Sequence, residues 1–474
     1  MITFWLTLDW LIQLLLVILS VSTALHALMN KYDPRSSLLW IITCFSVPFI
    51  GPILYLLLGI NRAHDKVLSL GAVADTSLST IPKPITPVHK KSSHLSAHQL
   101  LSMAVTGLPS TEGNQVQILS NGENAYPAML NSINEATDWI YLSMYIFEHK
   151  GIGKQFIDAL AHAVERGVDV RVLLDGVGSW YSLGQTKKTL TARGVRTLSF
   201  LPIGKMLPRF TLNLRNHRKI LLCDGKHAFT GGMNIRQCHL VQTSQPNRAT
   251  KDYMFSLKGP VVQQVGKIFE DDWFYASGER LPIKWYDLTP YGKSSCRAIS
   301  DGPGIHLNVL TKVMISALNN AQSSITLVTP YFLPPNELII ALQSAALRGV
   351  EVSILLPARN NQPSIHWAMR NNMRHFLAYG VKIYYQPSPF VHSKLLLIDN
   401  HYCQIGSANI DSRSLRLNFE LNVEIFDTDF AQAIAKIVSD DKQRAIEITP
   451  QKLNKRPFII KAWDAFWWLF TPYL

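Results

Sequence analysis

The stretch HRKILLCD, residues 217–224, is followed at 231–234 by GGMN, and the chain then repeats the phrase as HSKLLLID at 392–399 with GSAN at 406–409. Each copy has a His, a Lys two positions on, an apolar run, an Asp, and a glycine turn closed by Asn. In an extended strand residues i and i+2 share a face, so His217 emerges beside Lys219 and His392 beside Lys394. An imidazole next to an ammonium suits an anion better than a core. The runs ILLC and LLLI bury the strands, while the turns offer backbone amides and the Asn234 or Asn409 side chain to phosphate oxygens. One His-x-Lys is commonplace on a solvated strand. Two, each with Asp and Asn at matching distances, predict a duplicated phosphate site.

Outward from the motifs, the rest of the chain repeats in the same order. ATDWIYLSMYIF (136–147) reads as a strand, IGKQFIDALAHAVERG (152–167) as a helix ended by Gly167, and VDVRVLLDG (168–176) as a buried strand. QSSITLVTPYFL (322–333), NELIIALQSAALRG (336–349) and VEVSILLPA (350–358) repeat that pattern. KKTLTARGVRTLSF and MRHFLAYGVKIYYQ then add a helix and a strand ahead of each motif. Alternating strands and helices predict an α/β protein of two pseudo-twofold-related domains, each a mostly parallel sheet covered by helices. The expected boundaries are 114–290 and 291–450.

Ahead of these domains the chain is apolar. Hydrophobic residues make up 47% of the sequence and charged ones 17%, an excess expected to lie in lipid. Trp10–Met29 and Ser36–Ile60 carry no Asp, Glu, Lys or Arg, and at 1.5 Å per residue each is long enough for a hydrocarbon core of about 30 Å. The first run lacks the basic flank and small-residue cleavage site of a signal peptide. Residues 1–62 are therefore expected to be an anchor of two transmembrane helices. Lys31 and Arg35 in the turn nearly balance Arg62 and Lys66 beyond it, so loop charge decides orientation weakly. The net charge of +13 draws the remainder to an anionic leaflet, placing the catalytic portion on the cytoplasmic side. Residues 63–113, including SLSTIPKPITPVHKKSSH, lack periodicity and read as a linker along the membrane. The tail 451–474 contains AWDAFWWLFTPYL, whose aromatics suit the membrane interface. Five cysteines without Cys-x-x-Cys spacing argue against a disulfide framework or a metal site.

Two histidines across one phosphate permit covalent catalysis. One attacks phosphorus while the other protonates the leaving alkoxide and later deprotonates the incoming hydroxyl. Lysines and asparagines neutralise the transition-state oxygens, so no metal or other cofactor is expected. Each histidine gains from an acid on its second nitrogen. Asp252, in KDYMFSLKG, is the candidate for His217, and Glu420, in NFELNVEIF, for His392. Asp224 and Asp399 close the motif strands and are expected to stabilise the turn there.

The doubled motif resembles the two HKD motifs of the phospholipase D superfamily, and within it the chain is most similar to bacterial cardiolipin synthases. WIITCFSVPFIGPILYLLLG, GNQVQILSNGENAYPAML, YIFEHKGIG and GSANIDSRSLRLNFELN extend the likeness from about Pro34 to Asp427. The resemblance implies a catalytic set of His217, Lys219, Asp224, His392, Lys394 and Asp399, a phosphohistidine intermediate, and His217 as the nucleophile. It also implies phosphate contacts from Asn234, Asn409 and Ser407. Gly232 stands where the second copy has Ser407, so the first half lacks that hydroxyl. The implied reaction moves a phosphatidyl group between two phosphatidylglycerol molecules at the bacterial inner membrane. Partners are then anionic membrane lipids, with no nucleic acid. Rival readings are a membrane-bound phospholipase D hydrolase, another phosphatidyltransferase, an HKD nuclease, and a non-catalytic lipid-binding scaffold, which the two intact His-Lys pairs disfavour.

Overall fold

The computed structural model describes residues 2–31, 34–59, 94–202, 214–282, 285–303 and 307–471. The apolar runs around the motifs form strands, as their period predicts. In the first half these are β1 (Thr111–Ser120), β2 (Trp139–Met144), β3 (Asp169–Asp175), β4 (Arg196–Phe200), β5 (Ile220–Cys223), β6 (His227–Gly231) and β7 (Tyr253–Lys258). The second half supplies β8 (Ser294–Asp301), β9 (Ser324–Val328), β10 (Glu351–Pro357), β11 (Lys382–Gln386), β12 (Leu395–Ile398), β13 (Tyr402–Gly406), β14 (Glu420–Phe426) and β15 (Ile446–Ile448). Among the described residues all fifteen join one sheet, in the order β15-β11-β10-β9-β12-β13-β14-β8-β1-β7-β6-β5-β2-β3-β4.

The α/β duplication is as expected, with two differences. The halves share one continuous sheet, joined where β1 pairs with β8 (Thr111 opposite Cys296), rather than forming two. Each half is mixed, not mostly parallel: β2, β3 and β4 run parallel, as do β9, β10 and β11, but the motif strands and their neighbours are antiparallel. The cause is the short connection from β5 to β6 and from β12 to β13, too short for a crossover helix. Alternation sorts the side chains by face. Trp139, Tyr141, Ile220 and Leu222 face a core shared by both halves, beneath helices Val261–Ser277 and Thr428–Gln443. Ile140, Leu142, Leu221 and Cys223 face the opposite layer, under helices Asn121–Glu135 and Ile152–Glu165.

The N-terminal anchor differs from expectation. Helix Ile2–Asn30 contains one apolar span, Trp10–Asn30, long enough to cross a membrane. The second run is broken into helix Pro34–Ser46, a turn, helix Ile50–Leu54 and a π-turn Tyr55–Gly59. Its contacts trace a descent and a return along the first helix. Ser37 Oγ donates to Ala27 O (3.2 Å), Ser20 Oγ to the carbonyl of Pro48 (3.2 Å), His26 Nδ1 then meets Tyr55 Oη (2.8 Å), and Lys31 Nζ caps Gly59 O. Pro48 has no N–H for a helix ladder, and a Cβ on Gly51 would stand 2.2 Å from Thr43 O, so only glycine closes the break. The run therefore turns back along the first helix and forms no second helix long enough to cross among the described residues.

Most of the expected linker, 63–93, lies outside the described residues. Its last part is a helix, His94–Thr106, packed on helix Val309–Asn320. It docks through polar groups, which is why no apolar stripe announced it: His98 Nδ1 meets Ser316 Oγ (3.1 Å) and Ser102 Oγ donates to Glu424 (3.3 Å). The aromatic tail forms helix Phe458–Trp468, docked by the buried Asp464 between Arg370 and Arg456 and by Trp463 and Trp467 against Trp367. Phe458, Ile459 and Leu469 remain exposed.

Candidate active site

His217 and His392 lie three positions ahead of β5 and β12, and each is held there by backbone from the other half. His217 N–H donates to Phe419 O (2.9 Å), and His392 N–H to Lys251 O (2.8 Å). The bridge Asn216–Phe419 and the pair Val391–Lys251 are both parallel. Parallel register carries each histidine to the residue one further along the facing strand. His217 Nδ1 therefore lies 3.0 Å from Glu420, and His392 Nδ1 lies 2.8 Å from Asp252. The expected pairing of Asp252 with His217 and Glu420 with His392 is thus reversed: each imidazole takes its acid from the opposite half.

The turns fit these acids differently. Ser407 is fully buried, donates its hydroxyl to Glu420 Oε2 (2.5 Å) and accepts Leu421 N–H (3.0 Å), so it orders an acid and does not line the pocket as a phosphate ligand. At Gly232 a Cβ would stand 2.5 Å from both Asp252 oxygens. The missing hydroxyl of the first half is room for a carboxylate.

Asp224 and Asp399 stand at the far ends of the motif strands, both at positive φ. Asp224 accepts the amides of Thr137, Asp138 and Trp139, and Asp399 those of Gln322, Ser323 and Ser324. They tie the strand ends to the loops ahead of β2 and β9, as their place in the turn predicted, and take no part in the pocket that the resemblance assigned them to. Asn234 and Asn409 line the pocket. Asn234 Oδ1 accepts Ile146 N–H (3.0 Å) and Asn409 Nδ2 donates to Ser414 Oγ (3.2 Å).

Lys219 and Lys394 are buried, each donating to the carbonyl of its own histidine at 2.6 and 2.5 Å. Burial, with Lys394 adding to it, pushes Lys219 down to about 7 against the pull of Glu420, and burial pushes Lys394 down to about 8. Lys394 Nζ also stands 2.8 and 3.0 Å from the two nitrogens of His392. Burial and these ammonium groups hold His392 well below the usual imidazole range. His217 is lowered by burial too, with Glu420 opposing. Burial tends to raise Glu420, but His217, Lys219 and Ser407 outweigh it and keep the carboxyl low. Burial raises Asp252, with Lys394 and His239 opposing, so the two imidazoles, both lowered, face one acid held low and one raised.

The pocket between the halves measures about 230 Å³. That is smaller than cavities that enclose whole drug-sized ligands, and it suits a head group. Several of its residues were not singled out from the sequence. Tyr145 stands edge-on to His217 with centroids 5.0 Å apart, and Tyr331 edge-on to His392 at 6.3 Å. Their equivalent places after β2 and β9 were available in the repeat. His239, buried and pushed down to about 3 by burial, and the arginines 215, 236 and 413 come from loops whose approach no periodicity encodes. Among the described residues no cluster of His, Cys, Asp or Glu could hold a metal ion.

Comparison with known proteins identifies the family. The family described as "Cardiolipin synthase, PLD-like domain" matches residues 129–273 and 314–442, and "Phospholipase_D-nuclease N-terminal" matches 18–59. The chain is 30% identical to the cardiolipin synthase of Geobacillus kaustophilus over 98% of this chain and 94% of that protein. It is equally 30% identical to cardiolipin synthase A of Proteus mirabilis over the full length of both. The crystal structure of phosphatidylserine synthase from Haemophilus influenzae shares the fold, with a TM-score of 0.61 at 16% identity over 80% of this chain and all of that one. With two family segments spanning both halves of the sheet and full-length relatives at this identity, the chain belongs to the cardiolipin synthase family of phospholipase D-like phosphatidyltransferases.

Proposed function

We propose that the protein transfers a phosphatidyl group from one phosphatidylglycerol to a glycerol hydroxyl of a second, releasing glycerol, through a phosphohistidine on His217. The observation that carries this reading is the crossed pair of His–carboxylate contacts within one pocket. A carboxylate at Nδ1 keeps the ring proton there and leaves the Nε2 lone pair for phosphorus. His217 Nε2 forms a bond to phosphorus as the bond to the leaving glycerol oxygen breaks, and His392 gives that oxygen a proton. The bound phosphodiester anion raises His392 toward its charged form for this task. In the second step His392 takes the proton of the acceptor hydroxyl, whose oxygen displaces His217. Lys219, Lys394, Asn234 and Asn409 offset the charge on the five-coordinate phosphorus. Asp224 and Asp399 hold the loops that frame it.

The single apolar helix supports membrane placement, and the returning segment bears on orientation. Since Gly59 comes back to Lys31, the basic residues Lys31 and Arg35 fall on the catalytic side of the one crossing. Positive charge is retained in the cytoplasm, so the catalytic portion faces the inner leaflet of a bacterial cell membrane. The exposed Phe458, Ile459 and Leu469 of the tail helix rest in the interface there.

Purified protein in phosphatidylglycerol vesicles, followed by mass spectrometry of lipids, tests the reaction. Cardiolipin with equimolar glycerol is expected. Phosphatidic acid as the main product would place water as the acceptor and replace this reading with a hydrolase.

A further inference from the structure

On β14 alternate residues share a face, and on one face they are polar and buried: Glu420, Asn422 and Glu424. The first is the acid of His217. The other two belong to a line of hydrogen bonds that leads away from the site. Ala408 N–H, between Ser407 and Asn409 in the motif turn, donates to Asn422 Oδ1 (3.3 Å), and Asn422 Nδ2 donates to Gln404 Oε1 (3.3 Å). Gln404 Nε2 then donates to Tyr402 Oη (3.3 Å), and Tyr402 to Glu424 Oε2 (3.2 Å). The direction is set at both ends, since a backbone N–H only donates and a carboxyl oxygen paired with an arginine accepts; Arg297 stands 3.1 Å from Glu424 Oε1. The far end is held by helix His94–Thr106. Ser102 Oγ donates to Glu424 Oε2 at 3.3 Å, and His98 Nε2 lies 3.3 Å from the same oxygen. Among the described residues the first half has no such line. Where Gln404 faces Glu424 and Gly406 faces Asn422, the register of the first half sets Phe229 against Ser256 and Gly231 against Met254. Phe229 and Met254 pack in an apolar layer, so ordinary packing is available to this fold at these positions. Burying amides there instead costs desolvation unless every partner is in place, and bonds that all donate one way strengthen one another.

We propose that Asn422, Gln404, Tyr402 and Glu424 are positioning residues, through which helix His94–Thr106 holds the motif turn 406–409 and so fixes Ser407 on Glu420 and Asn409 at the pocket. This rests on the phosphatidyl-transfer reading and deepens it. The four residues do not line the pocket, and they act through the turn. Ser407 passes the effect to the acid of the nucleophile, because its hydroxyl donates to Glu420 at 2.5 Å and Glu420 stands 3.0 Å from His217 Nδ1. In the sequence the helix lies between the membrane anchor and β1. The segment that follows the anchor thereby completes the support of the catalytic turn, and a site whose helix has undocked loses that support.

Two variants that each remove a single hydroxyl separate positioning from packing. Full-length wild type, Tyr402→Phe, Ser102→Ala and the double variant are assayed on phosphatidylglycerol vesicles, at a temperature where thermal melts show all four folded. Each single change is expected to lower kcat by about fivefold, the effect of one hydrogen bond, and to leave KM unchanged because the pocket lining is intact. The double variant should be no slower than the slower single, since a line cut once is already cut. Wild-type kcat in either single variant overturns the proposal. Losses that multiply in the double variant overturn it as well, because the two hydroxyls would then act separately. Should Tyr402→Phe not fold, Gln404→Leu takes its place in the cycle. Wild-type protein that turns over no phosphatidylglycerol defeats the transfer reading itself, a different failure.

Discussion

At the scale of single residues the site is nearly symmetric, and the asymmetries carry the tests. If His217 is the nucleophile, His217→Ala removes the covalent intermediate altogether, whereas His392→Ala keeps it but slows its formation by about 10²- to 10⁴-fold. A nitrophenyl phosphodiester needs no acid to depart, so with it His392→Ala should accumulate an adduct that acid quench and peptide mapping locate on His217. An adduct on His392 when His217 is replaced reverses the assignment. Gly232 offers a sharper probe of the crossed acids. Its Cβ position is already occupied to 2.5 Å by both Asp252 oxygens, so Gly232→Ala should displace the acid of His392 and lower turnover by about 10²-fold. The same change at Ser407 removes a hydroxyl from Glu420 and so acts on His217 instead. Equal activity in Gly232→Ala and wild type would break the link from Asp252 to His392. The histidines, lysines and asparagines were legible in sequence because duplication repeats their spacing. The partner of each histidine was not, since it depends on which strand lies alongside, a contact spanning 203 residues in one case and 140 in the other.

At the scale of elements, periodicity located the repeated strands and glycine-ended helices well. It failed where burial is polar, as in helix His94–Thr106, and where an uncharged run conceals a turn. Ser36–Ile60 has the composition of a membrane span, yet Pro48 and Gly51 bend it back to the level of Lys31. Hydropathy counts residues and does not report direction. If the first helix alone crosses, the prediction is a topology with the amino terminus and the catalytic domain on opposite sides of the membrane. Single cysteines placed at position 3 and, on the exposed face of the tail helix, at Ile459 should therefore react with a membrane-impermeant maleimide from opposite sides of spheroplasts and inverted vesicles. The native cysteines are first replaced by Ala or Ser. Labelling of both positions from the same side would restore a second crossing.

At the scale of the whole molecule, one sheet and one shared core bind the halves. They also bury groups that make stability depend on pH. His227 is held between Ser132 and Ser256, and burial, with Lys258 nearby, pushes it down to about 4. The unfolded chain takes up that proton near 6.5 and the folded one does not, so stability is lost as pH falls below 6.5 toward 4. His227→Gln should remove about 2 kcal/mol of the loss between pH 7 and 5 in denaturant titrations of detergent-solubilised protein; parallel curves for variant and wild type would refute the linkage. The sequence reading of two sheets about an axis predicts something different from what the fold implies for unfolding. Separate sheets would let each domain melt on its own. Here β1 and β8 pair edge to edge, each histidine segment hydrogen-bonds to the other half, and helices Val261–Ser277 and Thr428–Gln443 cover a single core. Opening one half strips partners from the other, so the catalytic portion should melt in one calorimetric transition whose van't Hoff and calorimetric enthalpies agree. A cavity such as Phe269→Ala, in a fully buried side chain of that shared core, should cost about 3 to 5 kcal/mol and shift the whole transition downward. A second transition left at the wild-type temperature would mean that the halves fold independently and that the continuous sheet does not couple them.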